Sequence, residues 1–359
     1  MRYRFNKNTI QGRVIIITGL GLAIFLLMQF ANHPRAVERY YSQGIYPVIC
    51  NVLHPVLNLF PFSLGDVLYI VVVGYLIYAF IRFIALLFKG RFKQIGLLLT
   101  RFIIGVQVAI LAFYIFWGMN YFRPSAGERL NLRDTSYTTA HLINVTCKLI
   151  DSANICRTRI TAADSGQTNA TIYATAANAV RKISADSVDF RTYHPKVKPS
   201  LLTPVLNYIG TSGYYNPFTT EAQMNYQMPY FERPMVACHE LSHQMGYGPE
   251  DEASFAGYLA ALTSKDRLLR YSAYHYAVDE CIRALRHRDT SAYKELKTHI
   301  SARVRHDFIT ERMYWFSFHG NAGMLSGILY DDFLKANNQP QGMGTYDQMV
   351  LLLMAWYKQ

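Results

Sequence analysis

The sequence predicts a mainly α-helical membrane protein, with three transmembrane helices followed by an α+β domain that carries a small sheet. Three observations lead there. Hydrophobic residues make up 51% of the 359-residue chain and charged residues only 17%, a balance suited to a chain partly solvated by lipid. Three long apolar runs fall within residues 1–121. The remainder alternates helical periodicity with one stretch rich in Tyr, Thr and Gly.

The net charge of +12 reads as membrane-flanking charge. No nucleic-acid motif accompanies it, so the expected partner is the lipid bilayer and not nucleic acid. The five cysteines include no CxxC pair, which leaves neither a dithiol redox motif nor an all-cysteine zinc site. They read as small buried apolar residues.

Residues 1–121 are expected to form a membrane anchor with spans at about 14–31, 67–88 and 102–119. The first, from Val14 to Ala31, is uncharged and long enough to cross a bilayer. No small-x-small cleavage site follows it, so it reads as a retained anchor. The basic N-terminal tail and the loop Lys89–Lys93 belong on the cytoplasmic side. Tyr114, Trp117 and Tyr121 at the opposite end of span three suit an aromatic belt, which makes residues 122–359 extracytoplasmic. Between spans one and two, the segment around Tyr46–Phe60 has helical spacing interrupted by Pro55, and His54 reads as a polar edge residue.

Beyond the anchor, amphipathic helices are expected at about 138–152 and 171–185, with His194–Pro199 as a connector. Leu206–Asn225 is poor in helix formers and reads as short strands. Such strands offer either an edge for an extended substrate or a plain surface hairpin. Glu221 within them is either a substrate-facing or a structural carboxylate.

The chemistry concentrates at His239-Glu240-Leu241-Ser242-His243, an HExxH pattern. Residues four apart share a helix face, so His239 and His243 can present two imidazole nitrogens to one Zn2+ ion. Glu240, one step round, is placed to act as general base on a water at that ion. A catalytic zinc needs a third protein ligand. Gly246 permits a sharp helix stop, and Pro249 can open a new helix with Glu250 just behind it. Glu250 is the expected third ligand and Glu252 the alternative, since a different turn would exchange them. Asp251 is expected to orient a ligand His. Further on, the polar loop Lys335–Tyr346 either lines a cleft or simply connects two helices, and the Tyr346 hydroxyl is a candidate oxyanion donor.

The runs Asn216–Ala222, His239–Gly246 and Glu250–Phe255, with the WGMNY stretch at Trp117 and the tail Phe333–Tyr346, together resemble an uncharacterised bacterial membrane-protein family, a domain of unknown function with a zincin-like motif. Its members typically carry Asn where this chain has Ser254. The resemblance implies a zincin-like α+β domain of gluzincin type, a multi-pass protein of the bacterial inner membrane, and a zinc metallopeptidase acting on envelope proteins or peptides. Gluzincins usually have a longer gap before the third-ligand Glu than the one here. The rival expectation is a non-catalytic membrane scaffold with a structural or vestigial zinc site. An intramembrane protease is disfavoured, because the apolar stretch flanking HExxH is too short to span.

Overall fold

The computed structural model describes residues 10–132, 136–342 and 348–358. It is mainly helical, with three long apolar helices near the N-terminus and one small sheet. The helices are Ile10–Ala31, Leu64–Phe88 and Phe92–Phe116. At about 1.5 Å per residue even the first, with 22 residues, matches the roughly 30 Å hydrocarbon core. Their side chains are largely bare of protein, with Val71, Val73 and Phe80 each more than half exposed. That surface is stable only in lipid.

The third span differs from the sequence expectation at both ends. It begins at Phe92 rather than near 102, because Lys93 and Arg101 do not interrupt helical backbone even though they interrupt an apolar run. It ends at Phe116 rather than 119, where Trp117 leaves helical geometry (φ −157°) and the chain tightens into a 3-10 turn over Gly118–Phe122. Spans one and three are joined by polar contacts. Arg13 donates to Leu97 O (2.5 Å) and Thr100 Oγ1 (3.1 Å), and Gln107 donates to Ile17 O (3.0 Å). Backbone carbonyls thereby satisfy side chains that lipid could not.

The segment between spans one and two is helical, and Tyr46–Leu57 runs through Pro55 without stopping there. It packs against the later domain. Buried Tyr46 donates to Gln244 O (2.8 Å), and buried His54 makes a short contact from Nδ1 to Tyr193 O. His54 is therefore a core residue, not an edge one.

Helices Thr139–Thr158 and Asn169–Asp186 arise near the expected positions, each capped by a threonine hydroxyl, Thr138 on His141 N and Thr168 on Thr171 N. The sheet has the order β1-β3-β2, with β1 (Val197–Pro199) parallel and β2 (Gly213–Asn216) antiparallel to β3 (Glu221–Met224). Two departures from expectation stand out. Thr203–Ile209 is a helix, with Pro204 in its first turn, where a missing N–H costs nothing. The supposed connector supplies β1, whose three-residue pairing is too short to leave a periodic signal.

Glu221 resolves as a structural carboxylate. It accepts from Lys198 Nζ (2.5 Å), Gly65 N (2.7 Å) and Leu64 N (3.3 Å), and Lys198 also donates to Leu57 O and Phe62 O. A buried carboxylate at the first turn of span two complements the positive end of that helix. The sheet is thus fastened to the membrane segment by a fully paired buried ion pair.

The core gathers around helices Arg233–Gln244, Glu250–Leu262 and Arg267–Arg288. The first two cross at Gly257, where an added Cβ would lie 2.9 Å from His239 N and 3.0 Å from Cys238 C. Gly to Ala inside a helix ordinarily gains up to about 1 kcal/mol. Here the crossing must open instead, so Gly257→Ala is expected to destabilise by about 1–3 kcal/mol. Thermal unfolding of the purified protein in detergent reads the sign directly, and a raised Tm would contradict the close crossing.

Candidate metal centre

His239 and His243 lie one turn apart on Arg233–Gln244 and present their Nε2 atoms 3.1 Å from each other. The helix ends at Gln244. Gly246 follows with φ +88°, the left-handed conformation that suits glycine, and the next helix opens at Glu250 directly after extended Pro249. This reversal carries the Glu250 carboxylate back over the motif. Its Oε2 sits 3.2 Å from His239 Nε2 and 3.5 Å from His243 Nε2. Among the described residues, the three form a His–His–Glu group whose ligand atoms all lie within 4.8 Å of one another.

The triangle fits a first-row metal ion. Bonds of about 2.0–2.1 Å in tetrahedral directions separate two donors by roughly 3.3–3.4 Å, against the 3.1, 3.2 and 3.5 Å seen here. The remaining polar atoms of the group are held so that these three face one point. His243 Nδ1 lies 2.7 Å from Tyr247 O, which makes that nitrogen the donor of the neutral ring and reserves Nε2 for a metal. His239 Nδ1 lies 3.1 Å from Ser254 Oγ, itself 2.9 Å from Tyr276 Oη. Glu250 Oε1 accepts from Tyr330 Oη (2.5 Å), so one carboxylate oxygen is occupied and the other faces the imidazoles.

Burial sets the electrostatics. It favours neutral His239, whose pKa falls below the ordinary value. At His243 burial acts the same way, but the charge of Glu250 and its hydrogen bond outweigh it and raise the group to about 9. Burial would raise Glu250 too, yet the two imidazoles hold it well below the usual carboxylate range. The carboxylate is charged, and a metal ion that met it would take the place of the His243 proton. Glu240 differs, since burial pushes it up to about 8. It is only 3% exposed, and among the described residues its Oε2 has no hydrogen-bond partner. An orphaned buried carboxylate oxygen costs several kcal/mol unless a ligand or water meets it.

Other expected residues fall elsewhere. Glu252 points away from the cluster, accepting from Arg129 Nη2 (3.0 Å) and Ala126 N (2.6 Å), so it is not among the converging groups. Asp251 does not orient a ligand ring; Ser254 and the Tyr247 carbonyl fill that role. Burial, reinforced by neighbouring Glu252, pushes the Asp251 carboxyl well up. Tyr346 lies outside the described residues. Sequence reasoning missed Tyr330, which sits in helix Asn321–Ala336 with no motif to mark it. It also missed Trp117 as a site residue. The Trp117 indole donates to His243 O (2.9 Å) and its ring lies edge-on to the His243 ring, with centroids 5.7 Å apart.

His239, Glu240, His243 and Glu250 all open into one cavity of about 1030 Å3. β2 forms one edge of the sheet and passes beside Glu240, whose Oε1 is 2.8 Å from where a Gly213 side chain would begin.

Fold and site together define a class: a helical protein with membrane-spanning segments and a buried His–His–Glu cluster able to hold a metal ion. The chain belongs to the family described as Protein of unknown function (DUF3810), whose model matches residues 41–354 and so covers spans two and three and the whole cluster. No curated protein and no solved structure matches the chain.

The geometry separates the two candidate third ligands. Glu250→Ala is expected to abolish stoichiometric zinc binding. Glu252→Ala should keep the metal yet lose about 3–5 kcal/mol of stability, because it strands buried Arg129. Metal analysis alongside unfolding checks both, and zinc loss confined to the Glu252 variant would reverse the assignment.

Proposed function

We propose that the protein is a membrane-anchored zinc metallopeptidase of zincin-like, gluzincin-type design that hydrolyses peptide bonds of envelope proteins or peptides. One observation carries the reading. A buried Glu240 oxygen with no partner among the described residues lies in the same cavity as two imidazole nitrogens and one carboxylate oxygen spaced for tetrahedral coordination. His239, His243 and Glu250 would hold the ion, and two nitrogens with one oxygen suit zinc.

Zinc bound there would supply a Lewis acid and lower the pKa of water enough to make it a nucleophile at neutral pH. The chain's own groups account for the rest. Glu240, whose Oε2 meets no protein group among the described residues and which lines the same cavity, is placed to take a proton from the attacking water at Oε2 and return it to the leaving amine nitrogen. The β2 edge beside it offers backbone groups to an extended peptide. Tyr330 holds Glu250 in place with its single hydroxyl proton and also lines the cavity.

In this reading residues 1–121 form the anchor and residues 122–359 the extracytoplasmic peptidase domain, with the basic N-terminal tail in the cytoplasm. The setting is the bacterial inner membrane. Glu240→Gln should retain one zinc per chain and lose peptide turnover by at least about 10²-fold. Assay of the purified full-length protein against a peptide library, with metal analysis of the same samples, checks this. Equal turnover by the Gln variant would remove Glu240 from the chemistry, and no turnover by the wild-type protein would favour the non-catalytic scaffold.

A further inference from the structure

One wall of the cavity that holds the cluster is built by the membrane segment. Span three contributes Val106, Ala109, Ile110 and Phe113, and span two contributes Tyr69. Val106 sits near the middle of the 25-residue span. At about 1.5 Å per residue it lies some 15 Å from Phe116, roughly half the depth of a bilayer core. A wholly water-soluble substrate has no use for a groove that runs this far into hydrocarbon.

The opposite wall has the same character. Helix Asn321–Ala336 turns Ser326, Gly327, Tyr330 and Phe333 into the cavity. Its other faces expose Met324, Leu325, Ile328 and Leu329, each 56–64% accessible. The helix is pinned to the end of span three. Phe333 meets the Phe113 ring at 5.9 Å, and Tyr114 Oη donates to Asn337 Oδ1 at 3.2 Å. An apolar face held beside a membrane span is one that lipid covers.

We propose that the substrate is a membrane-embedded polypeptide. Its apolar segment lies along span three between Val106 and Phe113, and the bond presented to the cluster sits at that segment's juxtamembrane end. The inference rests on the peptidase reading and names its substrate class. A polypeptide is favoured over a lipid acyl chain because the Gly210–Tyr215 backbone borders the cavity at its metal end. That backbone can pair with an extended main chain, whereas an acyl chain has nothing to pair with it.

The test uses full-length Glu240→Gln protein in phosphatidylcholine nanodiscs. The probe is a synthetic peptide with a polar reporter joined to an apolar Leu/Ala segment of about 20 residues, long enough to span, carrying a diazirine. Cross-links are expected at Val106–Phe113 and Ser326–Phe333. The variant Gly327→Trp narrows the cavity from a position where an added Cβ meets nothing within 4 Å, so the fold should tolerate it. It should cut cross-linking roughly tenfold, with zinc content unchanged. Ala109→Trp should do the same from the opposite wall.

Unchanged yields in both variants, or cross-links confined to the lipid-facing side chains Val73 and Phe80, would overturn the proposal. So would a diazirine phospholipid that labels the same residues and displaces the peptide, since the occupant would then be lipid. Zinc content measured on the same samples separates the two claims. Zinc without peptide cross-linking defeats this inference alone, whereas cross-linking without zinc defeats the peptidase reading and leaves a groove that binds membrane peptides.

Discussion

Glu250 is a charged carboxylate buried between two imidazoles, and the turn and helix crossing around it are shaped to hold it there. It is 4% exposed, and its immediate successors Asp251 and Glu252 are also buried. Three acidic groups in one buried helical turn are stable only if each has a separate resolution. Arg129 neutralises Glu252, burial pushes the Asp251 carboxyl well up, and Glu250 faces His239 and His243. The local backbone serves that arrangement. The left-handed Gly246 reverses the chain, Pro249 sets the start of the next helix, and Gly257 lets the two helices approach closely enough for the carboxylate to reach the rings.

The membrane segment takes part in this construction. The last turn of the motif helix exposes carbonyls that the helix itself cannot satisfy, and two of them are capped from outside the later domain. Trp117, just past span three, donates to His243 O, and Tyr46 donates to Gln244 O. The buried Lys198–Glu221 pair ties the sheet to the start of span two. The His–His–Glu cluster and the membrane helices therefore share supporting contacts, and a disturbance of span three would be felt at His243.

Much of this was legible in the sequence, because it depends on local chemistry. Long apolar runs, the four-residue His spacing and the Gly246–Pro249 turn each act over a few residues. What was not legible depends on long-range contacts. Glu250 and Glu252 cannot be told apart without knowing that Arg129 claims the second. Tyr330 reaches Glu250 across 80 residues of chain from a helix of ordinary composition. β1 is too short to show a period, and helix Thr203–Ile209 was hidden by neighbours rich in Tyr and Gly. The third span was misjudged because apolar runs report hydrophobicity, whereas a helix can continue through Lys93 and Arg101.

The proposed function requires a tetrahedral zinc at the meeting point of His239, His243 and Glu250. X-ray absorption at the zinc edge of the full-length protein tests this most directly. The prediction is one zinc per chain with four light ligands at about 2.0–2.1 Å and two imidazole scattering patterns. A spectrum dominated by sulfur at about 2.3 Å, or protein purified without metal that takes up no zinc on titration, would contradict it.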